Sequence, residues 1–149
     1  MSFSCPLPDL AATEALARKL APELKRGDFL ALKGLLGAGK TAFARALLRA
    51  LGINDEAPSP TFTLVQMYDS RNFPIYHFDL YRLKSAAELE ELGWEDALAD
   101  GLVIAEWPER AEGRLPENYL ALQFMFDDKA RHCLIEAHGA WAARLKGFA

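Results

Sequence analysis

The chain has 149 residues, of which 51% are hydrophobic and 26% charged, a balance that fits one soluble globular domain and excludes global disorder. Its 17 basic and 21 acidic residues give a net charge of −4, without the basic excess expected of a protein that grips nucleic acid alone. No apolar run approaches a membrane span, and the N-terminus lacks a basic segment followed by an apolar one, so a cytoplasmic protein with no membrane partner is expected.

In chain order, residues 9–26 read as a helix, with Leu10, Ala17, Leu20 and Leu24 at helical spacing, a break at Pro22 and a stop at Gly27. Residues 28–33 form a short apolar strand, 34–39 a glycine-rich loop, and 40–51 an amphipathic helix with Phe43, Leu47 and Leu51 on one face. Residues 57–60, with two prolines, must be loop. Segments 61–68 and 73–81 are rich in aromatic and β-branched residues and are joined by turn-forming residues 69–72, which predicts a hairpin. Ser85 and Glu88 have the spacing of a capping box that opens a helix. Residues 101–106 form a continuous apolar run, expected as a strand buried on both faces. Segments 119–126 and 132–137 predict a second hairpin with its turn at 127–129, and 141–146 a last short helix. This alternation of strands and helices predicts an α/β fold in a single domain spanning 1–149. Cys5 and Cys133 form no CxxC pair and lie far apart, so reduced thiols are expected rather than a disulfide or zinc site.

Residues 34–41, GLLGAGKT, match G-x-x-x-x-G-K-[ST] at every fixed position, between a strand and a helix. Glycines allow the tight turn that aims backbone N–H groups at phosphate oxygens, and the helix N-terminus adds positive partial charge there. The expected phosphate contacts run through Gly34, Leu36, Gly37, Ala38, Gly39, Lys40, Thr41 and Ala42. Lys40 supplies a cation for the β- and γ-phosphates, and the Thr41 hydroxyl is a ligand for Mg²⁺. Such a site needs an acidic partner at the end of a neighbouring strand. Glu106, ending the most apolar strand, and Asp79, in a second strand, are the candidates; one serves the metal and the other positions the attacking water. Thr61 is a candidate switch residue that senses γ-phosphate, Ser59 a weaker one, and Trp107 is expected in the core or as a lid beside the nucleotide. His77 lies two residues before Asp79 and shares its side of the strand; a satisfied histidine is expected there. Arg45 and Arg49 read as a solvated helix face, and Thr13 and Arg131 are weak candidates for contacts to the base.

No N-K-x-D guanine motif is present, which excludes a regulatory GTPase. A stand-alone small-molecule kinase, with Arg110 and Arg114 as lid arginines, and a nucleotide-dependent binding switch remain as alternatives. The set GLLGAGKT, SPTFTLV at 59–65, YHFDLYRL at 76–83 and EWPER at 106–110 resembles the bacterial TsaE (YjeE) family, the ATPase component of tRNA threonylcarbamoyladenosine synthesis. The resemblance implies a P-loop domain with a mixed sheet, ATP as the nucleotide, and Mg²⁺ at Thr41 and Glu106. It further implies Asp79 as an acid needed for hydrolysis, Thr61 as switch threonine and Trp107 as a tryptophan tied to activity. TsaD and TsaB would be the partners, with tRNA reached only through their complex. Two positions depart from the family pattern: Leu35 stands where an aspartate is usual, and Ala42 where a second threonine is frequent.

Overall fold

The structure is a computed structural model that describes residues 2–35, 37–54, 64–111, 113–126 and 130–148. One seven-stranded sheet organises them, in the spatial order β1-β7-β6-β2-β5-β4-β3. Its strands are β1 (Ser2–Pro6), β2 (Phe29–Lys33), β3 (Val65–Asp69), β4 (Pro74–Asp79), β5 (Leu102–Glu106), β6 (Tyr119–Phe126) and β7 (Arg131–His138). The central four, β6-β2-β5-β4, run parallel, while β1, β7 and β3 add antiparallel margins. The sheet is therefore mixed and the fold α/β, as expected.

Strand alternation assigns each residue to one of two packed layers. Leu30, Leu32, Ile75, Leu102 and Ile104 face α1 (Leu10–Leu20) and α2 (Lys40–Ala50), which bury Leu16, Leu20, Phe43 and Leu47 against them. Phe29, Ala31, Phe78, Val103 and Ala105 face the opposite way, against α3 (Glu88–Glu91) and α4 (Trp94–Asp100). Trp94 anchors that second layer, edge-on to Phe78 at 4.9 Å and to Phe29 at 5.6 Å. All five residues of β5 are buried, consistent with its unbroken apolar reading.

The expected elements differ from the structure in detail. The first helix stops at Leu20 and tightens into a 3₁₀ turn at Ala21–Glu23, because Pro22 at its start has no N–H to continue the α-helical ladder. The helix expected from Ser85 is two short helices, parted by Gly93 at φ 76°. Half of the expected capping box is formed: Glu88 Oε1 accepts from the Ser85 N–H at 3.1 Å and also from the Lys84 N–H at 2.8 Å. The first hairpin turns at residues 70–73, and the turn expected at 127–129 lies outside the described residues. Strand β1 has no counterpart among the expected elements; it is an edge strand of five residues whose only pairing among the described residues is to β7. That pairing brings Cys5 opposite Cys133, so the two free thiols are sheet neighbours despite their separation in sequence. The last strand and its following helix α5 (Trp141–Arg144) are tied back to the start of β2 by a bidentate Arg144–Asp28 ion pair at 2.7 and 2.8 Å. No helix among the described residues is long and apolar enough to cross a membrane.

Candidate functional site

Parallel strands β2, β5 and β4 end at the same edge of the sheet, where α/β folds place their ligands. Lys33 ends β2 and the chain enters the glycine loop. Gly34 has φ 137°, and a Cβ there would stand 2.6 Å from the Phe124 carbonyl oxygen of β6, so neither the torsion nor the space admits a side chain. Gly39, at φ 113°, is the N-cap of α2 and makes no side-chain capping bond. The helix thus begins with backbone N–H groups at the loop, the arrangement that suits an anion. Leu36 lies outside the described residues, as do Ser59 and Thr61. Ala38 is buried, Ala42 is half-buried, and Thr41 is exposed in the first turn of α2.

Lys40 is the hub of the site. Only 4% exposed, it donates from Nζ to the Gly34 carbonyl at 2.5 Å and lies 3.6 Å above the centroid of the Trp107 ring. Burial pulls its pKa below the ordinary lysine value, and the negative charges of Glu106, Glu109 and Asp79 oppose that shift. Those three acids are therefore the charges that Lys40 senses.

Asp79 and Glu106 are partners in the β4–β5 register, so both carboxylates leave the same face of adjacent strands at the same edge. Both are buried, at 7% and 3% exposure. Asp79 Oδ1 accepts from the Tyr81 N–H at 3.1 Å, holding the turn that leaves β4. His77 Nε2 meets Glu106 Oε2 at 2.7 Å, with both side chains about 5% exposed or less. Directly after Glu106 the chain turns at Trp107, whose φ of 59° is left-handed for a residue with a side chain. Its N–H donates to the Leu32 carbonyl at 3.3 Å and its ring meets Tyr81 at 4.9 Å, so β2 and the turn after β4 both fix the plate on which Lys40 rests.

Beside the loop, on the β6–β7 side, opens a cleft of about 840 Å³. Gly34, Leu35, Gly37, Ala38, Trp107 and Glu109 form one wall, and Gln123, Phe124, Met125, Phe126, Arg131 and His132 form the other. Its volume is that of a small-molecule site. Arg131 is among its lining residues, and Thr13 is buried on α1 outside them. The acid pair and Lys40 are also outside the lining; Trp107, on whose ring Lys40 rests, joins them to the cleft. Among the described residues no three His, Cys, Asp or Glu side chains cluster as a metal cage. Magnesium in a triphosphate site does not need one, because phosphates and waters supply most of its oxygens. A buried acid pair beside the loop lysine, with the Thr41 hydroxyl at the start of α2, is a donor set of the right hardness for it.

The family model of the threonylcarbamoyl adenosine biosynthesis protein TsaE matches residues 7–133. The chain belongs to the TsaE family. A Rickettsia felis protein named for tRNA threonylcarbamoyladenosine biosynthesis, TsaE, is 44% identical over 125 residues, covering 83% of this chain and 73% of its own. The TsaE of Rickettsia typhi is 40% identical over 126 residues, covering 83% and 88% respectively. The crystal structure of YdiB from Bacillus subtilis superposes with a TM-score of 0.81 at 27% identity, covering 99% of this chain and 94% of that one.

Within this chain, the acids Asp79 and Glu106 lie together, and Trp107 lies against Lys40. Glu109 and, Arg131 apart, the β6–β7 wall of the cleft were not among the candidates. Glu109 sits three residues beyond Glu106 in a 3₁₀ turn, Pro108–Ala111, that no periodic signal announces. The lid role considered for Arg114 has no support in its placement: its guanidinium pairs with Glu90 at 3.6 Å, and its carbonyl accepts from the Trp94 indole at 3.1 Å. Arg110 is exposed in the same 3₁₀ turn as Glu109.

Proposed function

We propose that this protein is a Mg²⁺-dependent ATPase, folded as one P-loop domain over 1–149, that serves threonylcarbamoyladenosine synthesis on tRNA in the cytoplasm. The observation that carries the proposal is the meeting, at Lys40, of a glycine loop opening onto a helix with the register-matched acids Asp79 and Glu106. Triphosphate oxygens would lie against the amides of residues 34–42, with Lys40 turning from the Gly34 carbonyl to the β- and γ-phosphates. The cleft lined by Phe126, Arg131 and His132 would take the nucleoside. Thr41 and Glu106 would hold magnesium, which supplies neutralising charge on the phosphates. Asp79, buried and fixed through Tyr81, would orient the water for in-line attack on the γ-phosphate. Thr61, which precedes β3 in the sequence, would sense the γ-phosphate.

Membership in a family of threonylcarbamoyladenosine biosynthesis supports action with the other proteins of that synthesis. The partners we propose are TsaD and TsaB, with tRNA held by their complex; the acidic balance of this chain agrees with an indirect role. The test is labelled ATP with and without purified TsaD–TsaB and tRNA. Phosphate release that rises with the pair is expected. Label on a small metabolite, indifferent to the pair, would sink the proposal and favour a kinase. Glu106→Gln should bind ATP yet fail to support repeated rounds of modification; full support would mean that binding alone suffices.

A further inference from the structure

His77 is a buried titratable side chain to which nucleotide chemistry assigns no task. It is 4% exposed and stands opposite Ile104 in the β4–β5 register, one pleat before the Asp79–Glu106 pair and on the same face. Its ring reaches diagonally across the strands to place Nε2 2.7 Å from Glu106 Oε2. A carboxylate that binds a metal only accepts hydrogen bonds, so with Glu106 in that role the ring nitrogen is the donor, directed at the carboxylate rather than at a metal. Glu106 closes a strand whose five residues are all buried, with Leu32 and Asp79 as its register neighbours. Without a partner on Oε2, this carboxylate would have a desolvated oxygen and no fixed rotamer.

We propose that His77 is a positioning residue for the metal-binding carboxylate: its Nε2–H holds Glu106 Oε2 in a fixed rotamer, and the carboxylate so held would be the one offered to Mg²⁺. This inference rests on the reading of Glu106 as a magnesium ligand. Outer-shell donors of this kind change metal affinity by roughly 10- to 100-fold when removed. Glutamine can place its amide nitrogen where the histidine Nε2 stands; asparagine is too short to reach it.

The experiment measures the affinity of a fluorescent, non-hydrolysable ATP analogue in EDTA and across a MgCl₂ titration, with Mn²⁺ binding read independently by electron paramagnetic resonance. His77→Gln should keep the magnesium dependence within about threefold of the wild type, while His77→Asn should weaken it about 10- to 100-fold with the affinity in EDTA unchanged. If His77→Asn does not fold, His77→Leu takes its place with the same expectation. A His77 that merely fills the core would leave the magnesium dependence of both variants as in the wild type, and that result overturns the proposal. So does loss in both variants alike, since the donor at the Nε2 position would then not be what matters. Wild-type protein whose analogue affinity ignores Mg²⁺ would instead refute the magnesium site itself, a separate failure.

Discussion

The glycine loop between β2 and α2 and the acidic edge of β4 and β5 meet at Lys40, but they are made differently. The loop works through backbone: Gly34 and Gly39 have torsions closed to other residues, and Leu35, within it, is 79% exposed. The acidic edge works through side chains, each buried and each held: Asp79 by the Tyr81 amide, Glu106 by His77. A site of backbone tolerates changes of side chain wherever the torsion survives. A site of buried charges tolerates almost none, because removing one partner strands the other. Of the two departures from the pattern that the resemblance implies, Leu35 falls in the loop and Ala42 in the first turn of α2 that follows it.

The largest effect should come from breaking the backbone half. Gly34→Ala puts a methyl group 2.6 Å from the Phe124 carbonyl and forces a side chain onto φ 137°. Loop or β6 must shift, and analogue affinity should fall by more than about 100-fold, with a stability loss of about 1–3 kcal/mol from strain alone. Isothermal calorimetry and urea unfolding read the two; unchanged affinity would mean that the loop's conformation does not hold the phosphates.

Breaking the side-chain half separates binding from chemistry. Asp79→Asn keeps an oxygen for the Tyr81 amide and removes the charge. Hydrolysis should drop about 100-fold, comparable with the loss of one preorganised electrostatic group, while analogue affinity stays within about threefold. A fall in affinity matched by no fall in turnover would assign Asp79 to the ground state instead.

These two halves were also unequally legible in the sequence. The loop could be read completely, since its chemistry is local and its spacing fixed within eight consecutive residues. Asp79 and Glu106 could be nominated from strand ends, but their adjacency is a register between strands 27 residues apart, which no local pattern encodes. The H-x-D spacing did put His77 on the side of Asp79; its bond to Glu106 needed the sheet. Likewise β1 escaped notice because Ser2–Pro6 alternates weakly and owes its existence to the β7 edge, and with it went the juxtaposition of Cys5 and Cys133. Core strands such as β5 were plain because burial on both faces leaves a continuous apolar run.

Lys40 belongs to both halves, and pH should reveal that. Its pKa lies below 10.5 because burial disfavours the charged form more than Glu106, Glu109 and Asp79 favour it. Between that lowered value and 10.5 the unfolded chain binds more protons than the folded one, so this group makes the nucleotide-free protein more stable as pH rises through that window and less stable as pH falls through the folded pKa. Nucleotide binding should go the other way. A triphosphate restores the proton, so affinity should decline with rising pH across the same window, by at most about tenfold per pH unit. Calorimetry in two buffers of different ionisation enthalpy should detect proton uptake at alkaline pH; no uptake would mean that Lys40 stays charged throughout.

The smallest effect should be at Leu35. Its side chain is 79% exposed on the wall of the cleft, and the motif asks only backbone of that position. Leu35→Asp installs the aspartate that the family resemblance implies at this position. It should change unfolding free energy by no more than about 0.5 kcal/mol, as expected for an exposed position. Analogue affinity should fall slightly, since an added carboxylate stands near bound phosphates and repels them, by a free energy of about 1 kcal/mol or less across water. Raising the salt concentration should erase that difference if it is charge alone. A loss of tenfold or more that survives high salt would mean that Leu35 makes a specific contact with the nucleotide, and the division between a backbone-built loop and a side-chain-built acidic edge would then fail at its simplest point.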